Sequence, residues 1–311
     1  VQWTNLVFEV FDKSGNTLLG PLPGNALFAG FGGPCEFNNR GDPIALYDQL
    51  ADRWVLSQFA PDDGTQCIAV SQTGDPTGAY FRYAFVVTPG AFNDYPKLGV
   101  WPDGYYATFR KFPDFELVAA AFEREKMLQG LPAQEVLFTI TAPAGPDCFG
   151  EGDCYEGGLP SHLEGMTPPP AGSPNYFLMS FDDEAFSTTP VPGQDSYKLW
   201  SFRVDWASPA SSTFTGPTTI PATEMDINLC GLGNCIPQPD PGELLDHLSF
   251  FTMYRLVYRN FGDHESLWAN NTVDLGDDRA GIRWAEIRDP GGAPAVFQEG
   301  THGPADGLHR W

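Results

Sequence analysis

Basic residues are scarce in this chain: Lys and Arg number 17 against 40 Asp and Glu, which leaves a net charge of −23 at neutral pH. A field of that sign repels nucleic acid and anionic membrane surfaces, so neither is an expected partner. No apolar run approaches the roughly 18 residues that a spanning helix needs, so direct membrane insertion is not expected either. The G-x-S-x-G, H-E-x-x-H and P-loop patterns do not occur, and serine hydrolase, zinc protease and nucleotide-binding chemistry lose their support. No signal peptide is visible at Val1, so the chain reads as already processed or trimmed.

What the chain has in quantity is Gly (34) and Pro (29), too many for a helical protein and ordinary for short strands joined by turns. The six cysteines speak to compartment. Cys148 and Cys154 are close in DCFGEGDC, Cys230 and Cys235 in CGLGNC, and Cys35 and Cys67 remain as the third pair. Zinc is the rival reading, but neither close pair has C-x2-C spacing and no His stands at a ligand interval beside them. Three disulfides are therefore expected, and with them an exported, extracellular setting.

The strands fall into rounds. DPIALYD, RWVLSQFA, TQCIAVSQT and AYFRYAFVV read as four antiparallel strands with turn residues between them. KLGVWPDGYYATFRKF, FELVAAAF and EVLFTI make the next round, around a short helical insert EREKMLQG. NYFLMSFDDEAF, SYKLWSFRVDW and STFTGP make another; FTMYRLVYRNF, DHESLWANNTV, AGIRWAEIRD and AVFQEG make the last. Four-stranded repeats at this period are the pattern of a β-propeller. The expected fold is thus all-β, a single propeller domain over 1–311 with repeats near 1–30, 41–90, 95–142, 174–222 and 246–300. Disulfide-bearing loop insertions are expected at 143–173 and 223–245. The first repeat lacks a strand and LHRW stops where another would start, so both ends read as incomplete. An acidic knot recurs: Asp48 and Asp52, then WPDG, FDDE and FGDH, each placed between a round's first two strands. Recurrence at one structural position points to a hairpin turn.

GFGGPCEFNNRGDPIALYDQLADRWVLSQFA, QCIAVSQTGDPTGAYFRYAF, YPKLGVWPDGYYATF and MYRLVYRNFGDHESLWANNTV resemble a family of secreted bacterial propeller-like proteins, often multidomain cell-surface proteins and distantly sialidase-like in architecture. The resemblance covers most of the chain. It implies a propeller and an extracellular location, brings no established chemistry, and implies that the sequence continues past Trp311. Asn271 stands where the resemblance leads one to expect His.

Propellers gather polar residues where their inner strands begin. Asp94, Tyr95, Lys97 and Arg255 are the candidate ligand-binding residues there. Should the chain be an enzyme, Asp42, His264 and Glu265 are the candidates for acid–base work, in a glycoside hydrolase with carboxylates in the central channel. The Asp-box of sialidase blades is missing. Non-catalytic action as a surface or matrix protein, through binding or assembly, is the first expectation. Its partners would be a glycan, another surface protein, or the further subunits of a larger assembly. Trp54, Trp101, Trp200, Trp206, Trp268 and Trp284 recur among the strands; most should be core, and exposed ones would suit sugar binding. No cofactor is expected. Calcium is the one alternative, at Asp62 and Asp63 of PDDG or Asp182 and Asp183 of FDDE, although neither stretch has EF-hand spacing.

Overall fold

The computed structural model describes residues 1–113, 116–140, 157–186, 193, 195–239 and 242–311, without the side chains of Asp62 and Leu232. The chain forms two compact units, Val1–Ile140 with Val204–Ser212, and Thr141–Arg203 with Thr213–Trp311. Both are mostly β, built from antiparallel meanders whose strands follow one another in sequence order.

The first unit holds three sheets. Strands β1 (Gln2–Thr4), β2 (Val7–Phe11) and β3 (Thr17–Pro23) form the smallest. The next is β4 (Ile44–Asp48), β5 (Arg53–Ala60), β6 (Thr65–Ser71) and β7 (Tyr80–Val86). The third is β8 (Phe92–Val100), β9 (Tyr105–Phe112), β10 (Glu116–Phe122) and β11 (Glu135–Ile140). Alternation puts Ile44, Leu46, Val55, Ile68 and Val70 on one face of the second sheet, packed on Leu98, Val100, Ala107, Phe109 and Phe122 of the third. Its other face carries Leu56, Ala60, Cys67 and Ala69 against Phe28 and Cys35. A sheet covered on both faces needs apolar residues at consecutive positions, which is why every residue of β6 is buried.

Cys35, on the short helix α1 (Gly33–Phe37), is bonded to Cys67 on β6 and buried with it. Changing both to Ser is expected to cost about 3–4 kcal/mol, because the bond closes a loop with a sequence separation of 32. Thermal unfolding without reductant reads this out; a loss under about 1 kcal/mol would mean that the helix holds its place by packing alone. Cys230 is bonded to Cys235. Cys148 and Cys154 lie outside the described residues.

The second unit is one eight-stranded sheet. Strands β12 (Leu159–Leu163), β13 (Asn175–Phe181), β14 (Ser196–Arg203) and β15 (Thr213–Pro221) form one meander. Strands β16 (Leu256–Asn260), β17 (Glu265–Asp274), β18 (Ala280–Arg288) and β19 (Ala295–His302) form the other. The two join through a parallel pairing of β12 with β16, Ser161 opposite Leu256 and His162 opposite Val257. Strand β12, LPSHL, lies inside the stretch 143–173 that the sequence suggested was a loop insertion. Its five residues are all buried, and Pro160 sits at its pairing with Phe177. The presence of β12 also moves FDDE out of phase: it follows the second strand of its meander, whereas the other acidic knots follow the first.

Candidate functional site

Two backbone irregularities build the polar site of the first unit. Gly41 and Asp42 enter β4 with φ of +109° and +46°. In β8, Asp94 lies opposite Arg110 and Lys97 opposite Thr108, so β8 advances one residue more than β9 and a bulge forms at Tyr95–Pro96. Tyr95 takes φ +51° there. The bulge turns the Tyr95 N–H toward the Asp42 carboxylate, which accepts it. It also folds the Lys97 side chain back, placing Nζ 3.3 Å from the centre of the Tyr95 ring and within 3.1 Å of the Pro96 carbonyl, to which it donates.

The charges here act on one another. Burial pushes the Asp42 carboxyl up, Asp94 adds to the rise, and Lys97 opposes it. Burial pulls the Lys97 ammonium down to about 8 even though Asp42 and Asp94 both favour its charged form. Asp42, Asp94, Tyr95 and Lys97, named from the sequence as lying near inner-strand starts, thus do meet. Among the described residues the Lys97 ammonium makes a single hydrogen bond, and the Asp94 carboxylate accepts none.

Arg255 belongs to a different group, in the second unit. Its guanidinium is 3.0 Å from Glu164 Oε1 and 3.5 Å from His162 Nε2. His162 is buried on β12, and the β12–β16 pairing brings it beside the segment that leads into β16. Neither His162 nor Glu164 was singled out in the sequence, because the stretch read as a loop between cysteines. Five residues with a Pro among them, LPSHL, all buried, leave too short a local pattern to mark the strand.

His264 and Glu265 lie at the far end of β16 from Arg255, where Asn260 pairs with Glu265. Glu265 accepts a 2.7 Å hydrogen bond from the buried Tyr258 hydroxyl. His264 stacks on Phe261 with ring centres 4.7 Å apart, bonds Asp263 through Nδ1 at 2.7 Å, and lies 4.0 Å from Glu286. Glu286 is itself saturated by Ser266, Arg288 and Gln298. These partners hold a hairpin end. Glu265 therefore has a structural duty that the sequence did not suggest.

The out-of-phase knot gathers acids. Ligand oxygens of Asp182, Glu184 and Asp195 lie within 4.8 Å of one another, beside a cavity of about 360 Å³ that Glu224 and Asp226 also line. Asp182 accepts the N–H groups of Ala185 and Ile227; Asp195 accepts those of Asp183 and Met225. Burial raises the Asp195 carboxyl to about 7, against the pull of those two donors. Of the two acids expected here, Asp182 belongs to the triad and Asp183 is outside it, its N–H serving Asp195. The Asp63 carboxylate is engaged by the Thr65 hydroxyl, and the Asp62 side chain lies outside the described residues.

Asp48 and Asp52, expected as turn residues, do stand at the β4–β5 hairpin and do more than solvate it. Asp48 is fully buried: Arg124 donates to both its oxygens, at 2.6 and 3.0 Å, and the Tyr105 hydroxyl adds a third bond at 2.9 Å. Arg124 opens the helix α2 (Arg124–Gln129), which lies between β10 and β11. Asp52, with φ +55°, accepts the Tyr47 hydroxyl at 2.6 Å. Of the recurring tryptophans, Trp101 and Trp200 are buried core, whereas Trp54, Trp206, Trp268 and Trp284 are half-buried.

Compared with family models, with curated proteins and with solved structures, the chain matches none.

Proposed function

We propose that the protein is an extracellular, non-catalytic glycan-binding module whose meanders are the blades of a propeller, with Asp42, Asp94 and Lys97 as the groups that meet the ligand. The observation that carries this reading is the unused hydrogen-bonding capacity at the β8 bulge: among the described residues, a carboxylate without a donor beside an ammonium with one bond. Sugar hydroxyls both donate and accept, so one hydroxyl can bridge Asp94 and Lys97. The propeller reading is supported by meanders that run in strict strand order and by β12 and β16, first strands of their meanders, lying parallel as inner strands around a channel do. The extracellular reading is supported by two disulfides in an acidic chain.

The test is affinity electrophoresis through gels containing soluble polysaccharides, with the wild type, Asp94→Asn and Lys97→Met. Hydrogen bonds to charged groups contribute about 1.5–3 kcal/mol, so each variant is expected to bind roughly ten- to a hundredfold more weakly. Retained retardation in both variants would remove the site from the proposal. The raised Asp42 carboxyl favours one second reading, a hydrolase with Asp42 as proton donor. Mass spectrometry of the same polysaccharides decides between them, since only a hydrolase shortens them.

A further inference from the structure

The β4–β5 hairpin fixes two aromatic rings at the edge of a second, wholly different cavity. Tyr47 and Trp54 lie directly opposite one another across the hairpin, with ring centres 5.3 Å apart and planes at 52°. With Phe11, Leu18 and Pro76 they line a cleft of about 760 Å³ inside the first unit. Tyr47 is 38% exposed and Leu18 57%. That volume is within the usual range for ligand pockets, about 300–1,000 Å³.

What the rings can offer a ligand is limited by what the protein already uses. The Trp54 indole N–H donates to the Gly74 carbonyl at 3.2 Å, and the Tyr47 hydroxyl donates to Asp52. A Cβ at Gly74 would meet the Asp52 carboxylate and push it from its place beside the Tyr47 hydroxyl. With their polar ends occupied, the rings present faces alone. A polyproline peptide, which docks by hydrogen bonds from aromatic polar tips as well as by packing, loses that half of its recognition. A pyranose keeps its own, since it stacks its C–H face on a ring and needs no donor from it.

Charge narrows the ligand further. Asp12 and Lys13 stand together at the cleft and offset one another. The Asn16 side chain, helped by the N–H groups of Asn16 and Ser14, holds the Asp12 carboxyl below its usual range, so it stays ionised. An acidic sugar would find the Lys13 ammonium already matched by that carboxylate, in a chain of net charge −23. We infer that this cleft is a stacking site for neutral oligosaccharides, separate from the group at Asp94 and Lys97 and independent of it.

Calorimetric titration with cellohexaose, laminarihexaose, xylohexaose and chitohexaose tests the inference on the intact protein. At least one is expected to bind, and Trp54→Ala to weaken it about tenfold or more, as loss of a buried aromatic anchor does. Trp54→Ala risks disturbing the hairpin, so Leu18→Arg, an exposed change at the rim, serves as the second variant and is expected to weaken binding similarly. The same titrations in the Asp94→Asn background, which removes the other proposed site, are expected to keep a binding component that either cleft change then weakens. The inference is overturned if none of the four sugars binds, or if both cleft variants bind as the wild type does. Binding lost only in Asp94→Asn would overturn it as well, and would assign the sugar to the other site.

Discussion

Asp48→Ala is expected to destabilise the first unit by about 3–5 kcal/mol, the usual cost of removing one partner from a buried ion pair. The change leaves the Arg124 guanidinium without its two carboxylate bonds and the Tyr105 hydroxyl without its acceptor, both inside the unit. Most of that cost is the stranded charge. Replacing both partners, Asp48→Ala with Arg124→Met, is therefore expected to recover a large part of it. Urea unfolding of the single and double variants is the measurement. A single variant within about 1 kcal/mol of the wild type would show that the pair behaves as an exposed one does.

Lys97 is expected to be the most reactive lysine of the folded chain at pH 8. With its ammonium brought down to about 8, half of it is neutral at that pH. An ordinary lysine near pKa 10.4 is then less than about 1% neutral. The reactive fraction is thus roughly a hundredfold larger, although a less basic amine is intrinsically slower and half-burial restricts access. A small acylating reagent followed by peptide mass spectrometry compares Lys97 with Lys13, Lys111, Lys126 and Lys198. The sign follows from the shift: acylation of Lys97 rises with pH and levels off above about 8. Removing the two carboxylates that favour its charged form, in Asp42→Asn with Asp94→Asn, moves that midpoint lower still. Labelling of Lys97 no faster than of Lys13 in the wild type would refute the expectation.

The polar group around Lys97 was legible only in part: Asp42 does precede β4, whereas Asp94, Tyr95 and Lys97 lie inside β8, which begins at Phe92, earlier than the sequence suggested. The sequence places Asp42 after a Gly and Asp94 before a Tyr-Pro pair, and both prove to be backbone irregularities. What the sequence concealed were contacts across long separations. Nothing near Asp48 announces Arg124, and an acidic turn that is solvated looks the same as one that reaches an ion-pair partner on a helix. Strand β12 was hidden for a local reason: five residues with a Pro among them, next to a cysteine-bearing loop, give too short an alternation to register. The same omission displaced FDDE from its true position, and so the grouping of Asp182 with Asp195 could not be read from spacing.

The parallel seam between β12 and β16 also bears on the order in which the second unit assembles. Each of its meanders is closed by hairpins between neighbours in sequence, and these need little chain to be ordered first. The seam joins Ser161 to Leu256 and cannot form until nearly the whole intervening chain has been made. The half-built unit therefore holds a finished meander with β12, an all-buried strand in the completed sheet, bare along one side. Whatever synthesises this chain must keep that edge from pairing with another copy until β16 arrives.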